Sequence, residues 1–296
     1  VRAHGNLSVL LAKLKHFRIN LNKTHILLLN SQVEYTPDYL PMSACYYPSL
    51  DKMTPITLEQ MSSIRLMNRT DSKYLANETQ LQELLKLAEN DYMVQDIDGK
   101  RISEYSTMYL DDRFNTMYLN HHNGRATRQK VRIRTYVDTD VSFFEIKLKN
   151  NHGRTKKKRI QLTGADTYLA DGASEFLKEN AMLDIPLEEM QPKISNHFYR
   201  ITLVNNDKTE RLTIDHALSF HNEVSGIDRS MDNLVVIEVK RDGNTYSPIL
   251  DMLHKLRIFP SGFSKYCIGM AITTPGIKRN LFNERIRRIE KLTSIG

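Results

Sequence analysis

The sequence has no tryptophan, only two cysteines and no long apolar run. Cys45 and Cys267 lie far apart in the chain, so they predict neither a disulfide framework nor a zinc-ligand set. No stretch approaches the roughly 18 apolar residues that a membrane span requires, and the run from Ile26 to Leu29 is too short for the core of a secretory signal. The loop Gly-x-x-x-x-Gly-Lys-Ser/Thr is also missing, which argues against a P-loop nucleotide enzyme. Together these absences predict a soluble cytoplasmic protein without a membrane span.

Length and charge are what the sequence does offer. The 296 residues are 40% hydrophobic, which is enough for one large domain with a core of its own. The net charge of +7 and the isoelectric point of about 9.2 indicate a polyanionic partner. Nucleic acid, anionic lipid and inorganic phosphate polymers all meet that requirement, so composition alone does not choose among them.

The chain divides into two parts by pattern. Residues 1–55 show no clear strand or helix periodicity except a short basic amphipathic segment at 7–17. We interpret 1–55 as an extension that is either disordered or translated upstream of a true start at Met42 or Met53; a real small appendage is the alternative. Residues 56–296 carry sharper patterns and are predicted to form a single domain.

Segments with strand or helix periodicity alternate with turn-rich links from residue 56 onward. The predicted helices cover 57–67, 77–88, 172–182, 247–256 and 283–292. The predicted strands cover 69–75, 104–110, 116–119, 130–137, 142–149, 155–162, 197–204, 210–215 and 234–240. Many of the links are short and turn-forming, as at Asn123-Gly124, and short links join antiparallel neighbours.

The strands carry charge on one face instead of scattered polar residues. In one of them, Arg132 and Arg134 share a face while Val131 and Ile133 share the other. The same alternation groups charged residues at Arg69, Asp71, Lys73, Glu145, Lys147, Lys149, Lys156, Lys158, Arg200, Arg211, Asp215, Glu238 and Lys240. An ordinary antiparallel sheet with one wet face explains any single strand. Like charges on neighbouring strands are unfavourable, however, unless an anion lies between them.

A closed sheet resolves this conflict. Eight or more strands can form a barrel whose lumen holds one ligand. Buried unpaired charge is costly, so a lumen lined by these charged faces needs an occupant. A linear polyphosphate is thin and negative along its whole length, and Arg and Lys bind phosphate oxygens well. We therefore predict an α+β fold, an antiparallel β-barrel of about eight strands with flanking helices, that binds a polyphosphate or triphosphate chain.

Two carboxylates among these cations allow two interpretations. Glu145 and Glu238 each precede a lysine by two residues, in Glu-Ile-Lys and Glu-Val-Lys. They either pair with neighbouring Arg or Lys residues, or they bind Mg²⁺ or Mn²⁺, hard cations that take oxygen ligands and bridge phosphates.

Seven short motifs add a resemblance to a known family. They are Arg69-Thr-Asp-Ser-Lys-Tyr74, Tyr105-Ser-Thr-Met-Tyr-Leu-Asp111, Arg128-Gln-Lys-Val-Arg-Ile-Arg134, Phe144-Glu-Ile-Lys147, Arg211-Leu-Thr-Ile-Asp215, Ile237-Glu-Val-Lys240 and Phe263-Ser-Lys-Tyr266. In order and spacing they resemble the polyphosphate polymerase domain of the vacuolar transporter chaperone (VTC) complex, in its bacterial form, within the triphosphate tunnel metalloenzymes (CYTH-like proteins). The resemblance runs from about residue 69 to the C-terminus. The first strand lacks the Glu-x-Glu-x-Lys of the other tunnel enzymes, which fits the polymerase branch.

The resemblance implies a tunnel that transfers the γ-phosphate of ATP to a growing polyphosphate chain with Mn²⁺ or Mg²⁺. Glu238 would bind the metal. The residues implied to be catalytic are Arg132, Arg134, Lys147, Arg200 and Arg211. The residues implied to bind phosphate are Lys73, Lys158, Lys240 and Lys265. Lys156 shares a face with Lys158 and is the alternative to it.

Other functions stay open at this point. With water as the acceptor the same interior would act as a triphosphatase, and without the metal it would be a catalytically silent polyphosphate- or nucleotide-binding module. A nucleic-acid binder is not expected, because it would present a flat basic face with exposed aromatic residues. His121 and His122 would point to opposite faces of a strand, so we interpret them as part of a solvated turn and not as a metal pair.

Overall fold

The computed structural model describes residues 46–62, 64, 69–152, 154–243 and 245–294. The α-helices in these ranges are α1 (Pro48–Lys52), α2 (Leu58–Ser62), α3 (Glu78–Ala88), α4 (Thr116–His122), α5 (Ala173–Asn180), α6 (Pro248–Lys255), α7 (Lys265–Thr273) and α8 (Asn283–Thr293). The strands are β1 (Pro55–Ile56), β2 (Arg69–Asn77), β3 (Tyr92–Gln95), β4 (Ile102–Asp112), β5 (Arg128–Tyr136), β6 (Val141–Lys149), β7 (Thr155–Leu162), β8 (Met190–Asn205), β9 (Glu210–Asn222), β10 (Asp228–Met231) and β11 (Leu234–Asp242). None of the helices described here is long and apolar enough to cross a membrane. The helix predicted at 7–17 lies outside the described residues.

The start of α3 shows how local sequence determines an element. The Asn77 side chain accepts a hydrogen bond from the backbone N–H of Gln80, and the Gln80 side chain accepts one from the backbone N–H of Asn77. This capping box satisfies two amide groups that have no partner within the helix. The apolar stripe of α3 is buried, as its spacing predicted; it consists of Leu81, Leu84, Leu85 and Ala88.

The strand predicted at 116–119 is wrong, because these residues form the first turn of α4. The Asp112 carboxylate accepts hydrogen bonds from the N–H and the hydroxyl of Thr116, at 2.8 and 2.6 Å. The buried Asp111 carboxylate accepts from the backbone amides of Met117 and Tyr118. Two carboxylates therefore stabilise the positive N-terminus of a short helix. His122 is buried at the end of this helix, so the interpretation of a solvated turn is also wrong.

The sheet is antiparallel, as the short links between strands predicted. Its longest hydrogen-bonded path runs β2-β11-β9-β8-β4-β5-β6-β7, and every pair along it is antiparallel. The short strands β1, β3 and β10 attach beside this path. Helix α5 joins the two halves of the sheet, between β7 and β8. The predicted α+β class, with an antiparallel sheet and flanking helices, is confirmed.

The sheet is curled, because an electrostatic interaction links two strands that lie far apart along its path. Lys147 lies on β6 and Glu238 on β11, five strands away along the path. A flat sheet would separate these strands by about 24 Å, at about 4.8 Å per strand. The two side chains nevertheless interact electrostatically. The faces that carry charge are therefore turned toward one another around a tunnel.

Hydrophobic clusters lie on both faces of the sheet, and three of them are large. The outer face of β2, β8, β9 and β11 packs on α3 and α6, through residues such as Leu84 and Ile249. The outer face of β4, β5 and β6 packs on α5, through residues such as Phe144 and Leu177. The third cluster lies on the inner face, where Tyr266 of α7 packs with Phe198 and Val236. Helix α7 thus fills part of one end of the tunnel.

The folded unit begins earlier than the sequence predicted. Tyr47, Leu50 and Met53 are buried in the cluster around α3. They lie within the segment 1–55 that we predicted to be an extension, and α1 covers most of their span. These three side chains therefore anchor the segment 47–53 in the hydrophobic core.

Candidate functional site

Cross-strand register determines which side chains face the tunnel. Lys73 of β2 lies opposite Glu238 of β11, and Glu238 lies opposite Thr213 of β9. In the other half of the sheet, and on the same face, Arg132 of β5 lies opposite Glu145 of β6. Since alternate residues share a face, the register extends to a set of interior cations. Members of this set include Lys73, Arg132, Arg134, Lys147, Lys157, Arg200, Arg211 and Lys240.

Strand β7 contributes a different lysine from the one that the sequence predicted. Lys158 lies opposite Ile146 on the outer face, and its Nζ donates a hydrogen bond to Oδ1 of Asn180 at 2.6 Å. Lys156 shares that outer face. Lys157 lies opposite Lys147 and contacts Glu145, so it takes the interior place. The prediction that Lys158 or Lys156 faces the tunnel was wrong. All four residues of the run 156–159 are cations, so the charge does not alternate and does not indicate which residues face inward.

The Glu145 carboxylate is completely buried between two cations. Its Oε2 accepts a hydrogen bond from Nε of Arg132 at 2.7 Å, and its Oε1 accepts one from Nζ of Lys157 at 3.1 Å. Burial disfavours the charged carboxylate, but Arg132, Arg134 and Lys157 outweigh that effect and hold the pKa of Glu145 at about 2. Glu145 is therefore ionised at neutral pH.

The buried Asp215 carboxylate also lies between two cations. It accepts from Nε and Nη2 of Arg200 at 2.6 and 2.8 Å, and also from Nζ of Lys265 at the start of α7. Burial opposes ionisation, yet Arg200 and Lys265 hold the pKa of Asp215 far below its usual range. Because Lys265 is buried, its own pKa falls to about 8 in spite of Asp215.

Glu238 is the third carboxylate held by two cations. It accepts from Nζ of Lys73 at 2.7 Å and lies 3.3 Å from Nζ of Lys240. Its side chain is 25% exposed, against 6% for Asp215 and 0% for Glu145. Among the three, Glu238 is therefore the carboxylate that a ligand in the tunnel reaches most easily.

Arg134 and Lys147 are interior cations that form no ion pair with a carboxylate in the part of the chain that the structure describes. Arg134 donates only a long hydrogen bond, from Nε to Oγ1 of Thr107 at 3.3 Å. Burial together with the charges of Arg132 and Arg200 lowers the pKa of Arg134 to about 10. The charge of Arg132, together with burial, lowers the pKa of Lys147 well below its usual value. Excess positive charge is thus concentrated at Arg134 and Lys147.

Aromatic rings line the tunnel beside these cations. The Arg200 guanidinium lies 4.9 Å from the centre of the Tyr105 ring, and the Lys265 ammonium lies 4.0 Å from that of Phe198. The two rings stack on each other at 5.3 Å. Cation–π contacts stabilise charge without neutralising it, so the cations stay available to an anion.

The buried residue Asp111 positions Lys265. Besides holding α4, the Asp111 carboxylate accepts a hydrogen bond from the hydroxyl of Tyr266 at 2.5 Å. The Ser264 hydroxyl accepts from the backbone N–H of Cys267 and so caps α7. Sequence reasoning included Lys265 in a motif but missed this helix. The signals were Ser264 as an N-cap and the apolar run from Tyr266 to Ile272.

Of these three carboxylates, only Glu238 is accessible enough to bind a divalent metal. Among the described residues no group of three or more His, Cys, Asp or Glu side chains is arranged to bind a metal. Magnesium commonly takes one or two carboxylates and completes its shell with water and substrate phosphates. Glu238 fits that role as a single protein ligand, provided that Lys73 and Lys240 turn toward the phosphates.

Known structures resemble this chain at low identity. A Bacillus halodurans protein proposed to be an adenylate cyclase matches 67% of this chain and 96% of its own, with 14% identity and a TM-score of 0.44. A proposed adenylyl cyclase from Hippeastrum, reported to have a dominant triphosphatase activity, matches 71% of this chain and 98% of its own, with 13% identity and a TM-score of 0.44. The S. pombe RNA triphosphatase matches 79% and 88%, with 8% identity and a TM-score of 0.26. At these values the likenesses say nothing about activity.

The sequence comparison with protein families is more specific. No curated protein matches the chain. The VTC domain matches residues 68–274, which is more than half of the sequence. The match includes every strand from β2 to β11, and the first residues of the folded unit lie outside it. The resemblance that the seven motifs carried is thereby confirmed: this chain belongs to the VTC domain family.

Proposed function

We propose that this chain is a polyphosphate polymerase, which transfers the γ-phosphoryl group of ATP to the end of a polyphosphate chain held in the tunnel. The observation that carries the proposal is the pair of interior cations that form no ion pair with a described carboxylate, Arg134 and Lys147. Glu145 and Glu238 offset their charge only in part, so an anion bound between them would relieve the remaining repulsion. The family match supports a substrate made of linked phosphates. A cytoplasmic location, with access to ATP, belongs to the same proposal.

The remaining interior cations would bind the phosphates on either side of this pair. Arg132 and Arg200 present guanidinium groups that can bind two phosphate oxygens at once. Lys73, Lys240 and Lys265 supply point charges near the carboxylates that they already contact. Arg211 lies opposite Lys240 on the same inner face and extends the cationic surface.

The transfer step needs no nucleophilic side chain. A terminal phosphate oxygen of the chain attacks the γ-phosphorus of ATP, the bond from this phosphorus to the β–γ bridging oxygen breaks, and ADP leaves with that oxygen. The chain is then one phosphate longer. Arg134 and Lys147 stabilise the negative charge on the transferred group, which is the main catalytic requirement of phosphoryl transfer. Glu238 would hold Mn²⁺ or Mg²⁺, and the ion would neutralise part of the charge on the phosphates.

Incubation of the purified protein with ATP and Mn²⁺ tests the proposal. The products are separated on a gel stained for polyphosphate, and free phosphate is measured in parallel. A ladder of long chains supports the polymerase. Free phosphate without chains would make the protein a triphosphatase, with water as the acceptor. Tight binding of added polyphosphate with neither product would make it a silent binding module.

A further inference from the structure

The cationic inner face continues past Lys147, beyond the residues used above. On β5 and β6, Lys130 lies directly opposite Lys147, and Arg128 lies directly opposite Lys149. Directly opposed side chains have their Cβ atoms about 5 Å apart, and like charges at that distance are destabilising. Two such pairs in succession make this stretch of the wall cationic on both strands.

A helix and a loop bring a further cation to the same place. The Arg285 guanidinium of α8 lies beside Gly262, where an added Cβ would be 3.5 Å from its Nη2. Two residues later, Ser264 accepts a hydrogen bond from Nζ of Lys130 at 2.8 Å. Arg285 therefore adjoins the wall that carries Lys130. We name Arg128, Lys130, Lys149 and Arg285 the exit cluster.

All four cations of the exit cluster act electrostatically on one histidine. Burial lowers the pKa of His121 to about 2, and all four cations of the cluster contribute to that shift. None of the four forms an ion pair with a carboxylate of the described chain, and all four are half-buried. Positive charge is thus gathered here without an ion-paired carboxylate among the described residues.

We propose that the exit cluster is a second polyphosphate site, which binds the part of the chain that has passed Lys147 and leads it out of the tunnel. The inference rests on the function proposed above. Helix α7 places apolar side chains such as Tyr266 and Ile268 beside this wall, whereas the cations of β5 and β6 offer a charged chain a favourable path. From Lys147 to Lys149 the strand advances about 7 Å, which brings a chain longer than the tunnel interior into the cluster.

The occupant is a phosphate polymer and not a nucleic acid. Single-stranded nucleic acid is bound by basic grooves with aromatic side chains on which bases stack. The Phe282 ring packs against His121, and the Tyr118 ring packs against His122. Both Phe282 and Tyr118 are buried, so the exit cluster offers charge without a stacking surface.

Two probes of different length separate this proposal from the one on which it rests. Tripolyphosphate fits the tunnel interior, whereas a long-chain polyphosphate also reaches the exit cluster. The test variant is Arg128→Gln with Lys149→Gln and Arg285→Gln, in which Lys130 is kept because it bonds to Ser264. The control removes the same charge from exposed positions on the outer helices, as Lys86→Gln with Lys178→Gln and Lys255→Gln.

The expected result is a loss of at least tenfold in affinity for the long chain, with tripolyphosphate affinity unchanged within about twofold and both affinities unchanged in the control. Because phosphate contacts release counterions, the salt dependence of long-chain binding should also weaken, by about two units in the slope of log K against log salt. With ATP, the variant should make shorter chains than the control.

Three outcomes would overturn the inference. Unchanged long-chain affinity in the test variant would remove the exit cluster from the path of the polymer. Equal losses for both probes would make its residues part of the tunnel or of the fold, and the single variant Lys149→Gln with its unfolding curve decides between these two. Competition by a single-stranded RNA as strong as that by polyphosphate would make the cluster a general polyanion surface. If the wild-type protein bound neither probe, the proposed function itself would fail.

Discussion

Lys157 and Lys158 are neighbours in the chain but lie on opposite sides of the tunnel wall. Lys157 donates from Nζ to the buried Glu145 carboxylate at 3.1 Å, whereas Lys158 donates to Asn180 on the outside at 2.6 Å. Since alternate residues of a strand point to opposite faces, one residue of register decides which lysine meets the ligand.

This relationship gives a matched pair of variants. Lys157→Ala removes an interior cation, so we expect affinity for tripolyphosphate to fall by about tenfold or more, which corresponds to about 1.4 kcal/mol. Lys158→Ala removes the same charge from the outer face and should leave affinity unchanged. Isothermal titration calorimetry measures both. A larger loss in the Lys158 variant would mean that β7 is shifted by one residue.

Lys147 should stabilise the bound state and destabilise the empty one. The charges of Arg132 and Arg134 act on its ammonium more strongly than those of Glu238 and Glu145, and it forms no ion pair with a described carboxylate. Lys147→Met therefore removes net repulsion. We expect the free energy of unfolding without ligand to rise by about 1–2 kcal/mol, or about 2–4 °C in Tm. Polymer synthesis should be lost. The exposed control Lys86→Met should change neither quantity, and a lower Tm in the Lys147 variant would contradict the prediction.

The pKa of Lys265 predicts how stability and binding respond to pH. Burial lowers this pKa to about 8, against about 10.4 in an unfolded chain. Between these values the native protein binds fewer protons than the unfolded chain, so its stability should rise with pH in that window. Tripolyphosphate affinity should fall above pH 8, because the neutral amine no longer attracts phosphate.

Calorimetry in two buffers of different ionisation enthalpy checks the same group. At about pH 8.5 a bound phosphate should raise the pKa of Lys265, so that binding takes up protons. Lys265→Met should reduce this uptake. A wild-type affinity that is constant from neutral pH to about pH 9.5 would be inconsistent with the shift.

Glu238→Gln separates metal dependence from phosphate binding. The amide can still accept a hydrogen bond from Lys73, but it no longer neutralises Lys73 and Lys240. We expect tripolyphosphate to bind as tightly or a few-fold more tightly without metal, and stimulation of turnover by Mn²⁺ to be lost. Titrations with EDTA and with Mn²⁺ measure the two effects, and the exposed Glu83→Gln is the control. Full Mn²⁺-dependent turnover in the Glu238 variant would exclude it as a metal ligand.

Gly269 allows α7 to approach the sheet. An added Cβ would lie 2.7 Å from Cδ1 of Phe220 and 3.3 Å from Cγ2 of Ile194. Gly269→Ala should therefore lower the free energy of unfolding by about 1–3 kcal/mol, as overpacking does in other cores. At Gly262 an added Cβ has no contact closer than 3.5 Å, so Gly262→Ala should change stability by less than about 0.5 kcal/mol. Denaturant unfolding curves distinguish the two.

Sequence patterns predicted the wall of the tunnel better than its end. Strands such as β5 alternate Arg with Val and Ile, so their period of two determines which side chains face inward. In β7 the consecutive cations carry no such period, and the wrong lysine was selected. Helix α7 is buried on nearly every side, so it lacks the amphipathic stripe by which helices are recognised. Helix α4 depends on two carboxylates that precede it, which no periodicity reveals.

The three doubly contacted carboxylates give the tunnel resident counter-anions. Three carboxylates each form ion pairs with two cations when no ligand is present; they are Glu145, Asp215 and Glu238. A phosphate that enters must compete with them, so binding is an exchange of one anion for another, as on an ion-exchange resin. In the proposed polymerase, such exchange would keep the difference in free energy between neighbouring positions small. The polymer could then advance by one unit without first dissociating from the wall.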